Sequence, residues 1–135
     1  MILVDTTVIV DLLKGSGNDK TKLFEEILSR NVMYGLASYT YQEVLQGARD
    51  LKEFNTLKKY LSTQKIYFLP EGIETYEKAA DMFFLLRRQG ITIRSTIDTL
   101  IALTAIEHNL FLLHNDRDFD FMAEKLSNLK IFNHF

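Results

Sequence analysis

The chain has 135 residues, of which 47% are hydrophobic and 25% charged, with one Pro, six Gly and no Cys. These values exclude a disordered, collagen-like or disulfide-bonded chain, so we expect residues 1–135 to form a single domain. The absence of Cys is in keeping with a reducing cytoplasm. The formal net charge of −2 indicates no generally basic surface, and the longest apolar stretches, Met82–Leu86 and Leu100–Leu103, are far shorter than the roughly 18 residues that cross a bilayer.

The first half of the chain alternates short apolar runs with amphipathic segments. Runs that contain β-branched residues predict strands, and apolar residues at helical spacing predict helices. In chain order the predicted elements are a strand at Met1–Val4, a short helix at Val8–Leu13, a helix at Asp19–Arg30, a strand at Val32–Ala37 and helices at Ser38–Ala48 and Leu51–Ser62.

The second half continues the alternation. The predicted elements are a strand at Lys65–Leu69, helices at Glu71–Gln89 and Ser95–His108, a strand at Asn109–His114, a helix at Asp116–Leu126 and a strand at Lys130–Phe132. Strands separated by helices favour parallel pairing, so the pattern predicts an α/β domain with three layers, α/β/α, around a mainly parallel central sheet. In such sheets, ligands bind at the carboxyl ends of the strands.

Carboxylates occur where several of these strands end. Asp5 directly follows the first strand, Glu43 lies in the helix after the second, and Asp116 and Asp118 follow the fourth. Asp98 lies in the first turn of the Ser95–His108 helix. If the strands are parallel, the segments that follow them emerge at one edge of the sheet. The carboxylates could then meet in space.

Helix capping is the alternative explanation for each acid. Thr40 with Glu43 and Ser95 with Asp98 have the spacing of a capping box, and Asp5 and Asp116 could each cap a helix. Capping does not account for the position of Asp98, which shares a helix face with apolar residues that should point inward. Those residues are Ile101, Ala102 and Ala105.

Carboxylates that share one partly buried cleft repel one another unless a cation lies between them. Oxygen ligands without His or Cys suit Mg²⁺ or Mn²⁺, which can support hydrolytic phosphoryl transfer. Asp5 and Asp98 are the best candidates for direct metal ligands. Arg94 and Arg117 lie near the acids in sequence and are candidates to bind phosphate groups, although Arg94 could equally pair with an acid.

Four segments resemble the PIN-domain nuclease family, in particular the VapC-type toxins of toxin–antitoxin pairs. The segments are Ile2–Thr7, Tyr41–Gly47, Arg94–Ala102 and Leu112–Phe119. The resemblance implies an endoribonuclease with Asp5, Glu43 and Asp98 as core acids and a fourth acid from the last segment. It also implies a divalent metal, a homodimer and inhibition by a cognate antitoxin protein. With an RNA substrate, Arg94 and Arg117 become the candidates to bind the RNA phosphates.

Within this resemblance, Thr6 matches the hydroxyl residue that is usual after the first acid, and we expect it to orient a carboxylate or a metal-bound water. Asp116 is favoured as the fourth cleft acid, and Asp118 is then expected to be held by Arg117 or by a helix end. Two alternatives stay open for the function. One is a catalytically inactive PIN-like module that binds RNA or protein, and the other is a non-toxin RNA-processing nuclease, which would share the same residues.

Overall fold

A computed structural model describes residues 1–135 and contains five strands and seven helices. In chain order they are β1 (Ile2–Val4), α1 (Thr6–Leu13), α2 (Asp19–Ser29), β2 (Tyr34–Ala37), α3 (Ser38–Gln46), α4 (Leu51–Leu61), β3 (Lys65–Tyr67), α5 (Ile73–Arg88), α6 (Thr96–Glu107), β4 (Phe111–Leu113), α7 (Arg117–Lys125) and β5 (Lys130–Ile131). Every strand and helix predicted from the sequence is present in the predicted order.

Several elements begin or end at other residues than the sequence pattern predicts. Helix α1 begins at Thr6 rather than Val8, because the Asp5 carboxylate accepts the backbone N–H of Thr7 and so caps the helix. Helix α5 begins only at Ile73, because Gly72 before it has a φ of 118°, which lies outside the helical region. These shifts follow from local backbone chemistry and leave the order of elements unchanged.

The five strands form one sheet in the order β3-β2-β1-β4-β5. All four neighbouring pairs are parallel, so the predicted α/β fold with a mainly parallel sheet is confirmed. Strand β1 lies in the centre, and its residues Ile2 and Leu3 are each paired with both neighbouring strands. Because the strands are parallel, the segments that follow β1, β2 and β4 all leave the same edge of the sheet.

Both faces of the sheet are covered by helices. Successive strand side chains point to opposite faces, and accordingly Ile2 and Val4 pack with residues of α1, α2, α3 and α4. Leu3 packs on the other face with residues of α5, α6 and α7. The predicted three-layer arrangement is therefore present. None of the helices combines the length and the apolar composition that crossing a membrane requires.

Strands β2 and β3 approach each other closely at Gly35. A Cβ atom on this residue would lie 2.8 Å from the backbone oxygen of Lys65 and would overlap the ring of Tyr67. Only glycine fits at this position, which lies in the strand leading to α3 and the Glu43 segment.

Candidate active site

Acidic side chains from segments that are distant in sequence line one cleft at the carboxyl edge of the sheet. Asp5 follows β1, Glu43 lies in α3 after β2, and Asp98 lies in the first turn of α6. The cleft has a volume of about 270 Å³ and is lined by Asp5, Thr6, Thr7, Val10, Asp11, Glu43, Asp98 and Asn115. The structure thus brings together the three acids that the resemblance implies as the core of the site.

Asp5 is the most deeply buried of these acids, with 2% of its surface exposed. Its Oδ2 accepts hydrogen bonds from the Thr7 hydroxyl at 2.6 Å and from the Thr7 backbone N–H at 3.1 Å. Burial raises the pKa of Asp5 to about 6, although these hydrogen bonds act to lower it, and the nearby charge of Glu43 raises it slightly. Asp5 is therefore held in one orientation in a setting that disfavours its own charge.

Asp98 is half-buried, and its carboxylate accepts no hydrogen bond within the protein. Burial is the main cause that raises its pKa to about 7, followed by the charges of Asp5, Asp116, Glu43 and Asp118 in that order. Four neighbouring acids thus act on Asp98, which lies between the acids of the cleft and those at the start of α7. Its helix neighbours Ile101, Ala102 and Ala105 are buried, as the apolar face of α6 predicts.

Glu43 is positioned by a residue from the opposite side of the cleft. The Thr6 hydroxyl donates a hydrogen bond to Glu43 Oε1 at 2.7 Å and lies 3.2 Å from the hydroxyl of the fully buried Thr40. Thr6 is the first residue of α1, so this contact joins the segment after β1 to the helix after β2. It gives Thr6 the orienting position that the resemblance implies.

Asp116 and Asp118 lie beside Asp98 at the start of α7. One oxygen of each of these three carboxylates lies within 4.8 Å of the other two. Arg94 bridges the pair, with its Nε 3.0 Å from Asp118 Oδ2 and its Nη2 3.1 Å from Asp116 Oδ1. The expected pairing of Asp118 with Arg117 is wrong, because Arg117 makes no ion pair and is exposed, whereas Arg94 reaches Asp118 from the segment before α6.

A family model described as "PIN domain" matches residues 2–125. The chain belongs to the PIN domain family. The match includes the four segments of the sequence that carry the resemblance. It also includes all the acids described above, from Asp5 to Asp118.

Two relatives of this PIN domain are similar along nearly their whole length. They are VapC ribonuclease Mb1587 from Mycobacterium bovis and ribonuclease VapC11 from Mycobacterium tuberculosis. Each is 30% identical over 131 residues, which make up 96% of this chain and 96% of the relative. The family predicted from the four segments is therefore confirmed.

Solved structures share the fold of this PIN domain at lower sequence identity. A chain of VapBC2 from Rickettsia felis, bound to a promoter DNA fragment, has a TM-score of 0.72 at 21% identity, with 100% of both chains covered. A chain of FitAcB from Neisseria gonorrhoeae has a TM-score of 0.71 at 24% identity, covering 98% of this chain and 97% of its own. These likenesses confirm the fold.

The donor atoms of the cleft fit a hard divalent cation. Every ionisable side chain that lines it is a carboxylate, and the structure places no Lys, Arg or His among the lining residues. The raised pKa values of Asp5 and Asp98 show that the protein leaves their negative charge poorly compensated. A cation that prefers oxygen ligands would remove this unfavourable interaction, as expected for Mg²⁺ or Mn²⁺ sites.

Capping explains some of the acids and not others. Asp5 and Asp116 do cap α1 and α7 through the backbone N–H groups of Thr7 and Asp118. The capping boxes that could have involved the other two acids are absent. Helix α3 begins at Ser38, so Thr40 lies inside it, and Ser95 precedes α6 without a side-chain capping bond.

Three further polar residues line the cleft of this PIN domain and were not predicted from the sequence. They are Thr7, Asp11 and Asn115. The Thr7 hydroxyl accepts the backbone N–H of Asn115 at 3.0 Å while it donates to Asp5, and the Asn115 amide donates to Asp11 Oδ2 at 2.9 Å. Asp11 also accepts the amide of Asn18 at 3.0 Å. Asp11 lies on α1, six residues after Asp5 in the sequence. Its position as a polar residue within an apolar run was the sequence feature that could have identified it.

Proposed function

We propose that this PIN domain is a divalent-metal-dependent endoribonuclease of the cytoplasm and the toxin of a toxin–antitoxin pair. The observation that carries the proposal is the convergence of Asp5, Glu43 and Asp98 on one cleft, with raised pKa values at Asp5 and Asp98. The two relatives named as VapC ribonucleases, each similar over 96% of this chain, confirm the predicted enzyme class.

The proposed metal ligands are Asp5, Glu43 and Asp98, and the proposed ion is Mg²⁺ or Mn²⁺. Asp116, the predicted fourth acid, lies beside Asp98 and contacts Arg94. When bound, such a cation polarises the phosphate, makes a water more acidic and stabilises charge on the leaving oxygen. The chain itself fixes the direction of the acids. Thr7 holds Asp5 through two hydrogen bonds and Thr6 holds Glu43 through one.

The reaction that this site supports is attack of water on phosphorus with departure of the 3′-oxygen. The polar lining has room for a phosphodiester and water in its volume of about 270 Å³. Because water rather than the ribose 2′-hydroxyl is the nucleophile, the products carry a 5′-phosphate and a 3′-hydroxyl. The Asp98 carboxylate has no hydrogen-bond partner in the protein, so its oxygens would be available to hold a cation.

RNA, an antitoxin and a second copy of the chain are the proposed partners. The exposed Arg117 at the start of α7 is the proposed contact for RNA phosphates. A structural neighbour described as a toxin–antitoxin complex from Klebsiella pneumoniae supports an antitoxin partner. The face of α5 that carries exposed Ile73, Tyr76, Phe84 and Leu85 supports a homodimer, since apolar surface of this kind marks protein contacts.

The proposal is tested by incubating the purified protein with a pool of small RNAs in Mg²⁺, Mn²⁺ or a chelator. Glu43→Gln and Asp98→Asn remove one carboxylate charge each, and Asp81→Asn on the exposed surface of α5 is the matched control. We expect metal-dependent cleavage by the wild type and by the control, and a loss of about 100-fold or more in the two site variants.

Two other results would contradict the proposal. RNA that is bound but never cut by folded, metal-loaded protein would indicate the inactive binding module. Cleavage without growth arrest when the chain is expressed alone in a bacterium would indicate an RNA-processing nuclease. A toxin arrests growth, and Asp98→Asn then relieves the arrest whereas Asp81→Asn does not.

A further inference from the structure

The acids of the site fall into two groups that share Asp98. The first group consists of Asp5, Glu43 and Asp98, which line the cleft. The second consists of Asp98, Asp116 and Asp118, whose carboxylate oxygens lie within 4.8 Å of one another. Each group has three carboxylates, enough in number and kind to hold a divalent cation. The two groups differ in what surrounds them.

The first group has only uncharged hydrogen-bond partners. Asp5 accepts from the hydroxyl and backbone of Thr7, Glu43 accepts from the hydroxyl of Thr6, and Asp98 accepts from no group in the protein. Hydroxyls and amides orient a carboxylate without cancelling its charge. The full negative charge of this group is therefore available to a cation.

The second group already contains a cation, the guanidinium of Arg94. It contacts Asp118 Oδ2 at 3.0 Å and Asp116 Oδ1 at 3.1 Å, and the Arg94 backbone N–H also donates to Asp118 Oδ2 at 3.3 Å. Asp118 is 5% exposed, so its charge is balanced chiefly by this contact. Two hydrogen bonds from side chain and backbone to one buried oxygen fix Arg94 in this position.

A divalent cation at the second group would have to displace Arg94 from both carboxylates. It would otherwise share Asp116 and Asp118 with a positive charge in direct contact with them, which is unfavourable because the two cations repel each other. Displacement would leave the buried Asp118 without its arginine and would cost the bonds that the arginine makes. The geometry thus separates a group that is open to metal from a group that is already neutralised.

We propose, on the basis of the proposed function, that Arg94 is the built-in counter-ion of Asp116 and Asp118 and limits the free enzyme to one divalent cation. This role replaces the predicted role of Arg94 as an RNA contact, because its guanidinium is engaged by two acids of the site. Asp116 then contributes to the field at Asp98 and becomes a metal ligand only when Arg94 is removed.

The number of Mn²⁺ ions bound per chain tests this inference without any assay of activity. Calorimetric titration with Mn²⁺ at pH 8 is compared between the wild type and Arg94→Gln, which removes the charge. Arg94→Lys keeps a charge at this position, and Arg88→Gln removes an exposed arginine that makes no ion pair with an acid. The double variant Arg94→Gln with Asp118→Asn removes the second group together with its counter-ion.

We expect one Mn²⁺ per chain in the wild type, Arg94→Lys and Arg88→Gln, and two in Arg94→Gln. The double variant returns to one. Two ions in the wild type would overturn the inference. So would one ion in Arg94→Gln, if this variant unfolds with the same transition as the wild type. Either result leaves the proposed function standing. If Arg94→Gln does not fold, the wild type and Arg94→Lys decide, since two ions in either overturns it. No Mn²⁺ binding by any of the proteins overturns both.

Discussion

Replacing Asp98 with Asn removes a charge that the metal-free protein stabilises poorly. The Asp98 carboxylate accepts no hydrogen bond, so the nearly isosteric amide breaks no contact within the protein. In the folded protein, burial and four neighbouring acids raise the pKa of Asp98 from 3.8 to about 7. Folding at neutral pH therefore works against ionisation of this group.

The size of the effect follows from the pKa difference between the folded and unfolded chain. For a fully buried group, this difference corresponds to about 4 kcal/mol of unfavourable free energy above pH 7. Asp98 is only half-buried, and solvent screening reduces the contribution to about 1–2 kcal/mol. We expect Asp98→Asn to raise the unfolding free energy at pH 8 by this amount, or Tm by about 3–8 °C.

The sign of the pH dependence follows from the raised pKa. A carboxyl whose folded-state pKa lies above its unfolded value gives a stability that is greatest below about pH 4 and is lost as the pH rises to about 7. The advantage of Asp98→Asn therefore appears at pH 8 and shrinks at pH 5, where Asp98 of the folded wild type is protonated.

Urea unfolding of both proteins in chelator at pH 5 and pH 8 measures this difference, and saturating Mg²⁺ provides the control. Metal binding stabilises the folded wild type more than the variant. In Mg²⁺ the difference in unfolding free energy between the two proteins therefore becomes smaller or changes sign. A variant that is less stable than the wild type at pH 8 in chelator, or an advantage that is equal at both pH values, would show that the charge of Asp98 does not destabilise the folded protein.

Three further outcomes follow from the structure. Thr6→Val removes the hydroxyl that orients Glu43 and lowers Mg²⁺ affinity or the rate of cleavage by about 10–100-fold, whereas Thr6→Ser keeps the hydroxyl and the wild-type values. A metal titration of the two variants measures the difference in affinity. Gly35→Ala forces a Cβ into the ring of Tyr67 and destabilises the fold by about 1–3 kcal/mol or more, as urea unfolding will show; an unchanged midpoint would contradict the packing. Because two cleft carboxyls have pKa values of about 6 and about 7, Mg²⁺ affinity rises at least about tenfold from pH 5.5 to pH 7.5 with release of protons, measured by calorimetry in two buffers.

Hydrophobic periodicity was sufficient to predict the order of strands and helices. The parallel sheet then determines that segments after β1, β2 and β4 leave one edge, which is why acids at strand ends could be predicted to meet. The strand order itself depends on contacts between distant parts of the chain. In the sequence, nothing local to Ile2 indicates that it pairs with both Tyr34 and Phe111.

The orientation of the site residues could not be predicted, because their contacts are distant in sequence. Thr6 and Glu43 are 37 residues apart, and Arg94 and Asp118 are 24 apart. Local spacing instead suggested that the adjacent Arg117 or a helix end holds Asp118. Neighbours on a helix point in different directions, so the distant arginine reaches the carboxylate and the adjacent one lies exposed.

The proposed reaction is metal-dependent attack of water on the phosphorus of an RNA phosphodiester. It is tested by mapping the ends of the RNA products made with Mg²⁺, and with chelator in its place. We expect a 5′-phosphate and a 3′-hydroxyl at each cut, and no products in chelator. A 2′,3′-cyclic phosphate, or cleavage that persists in chelator, would contradict it.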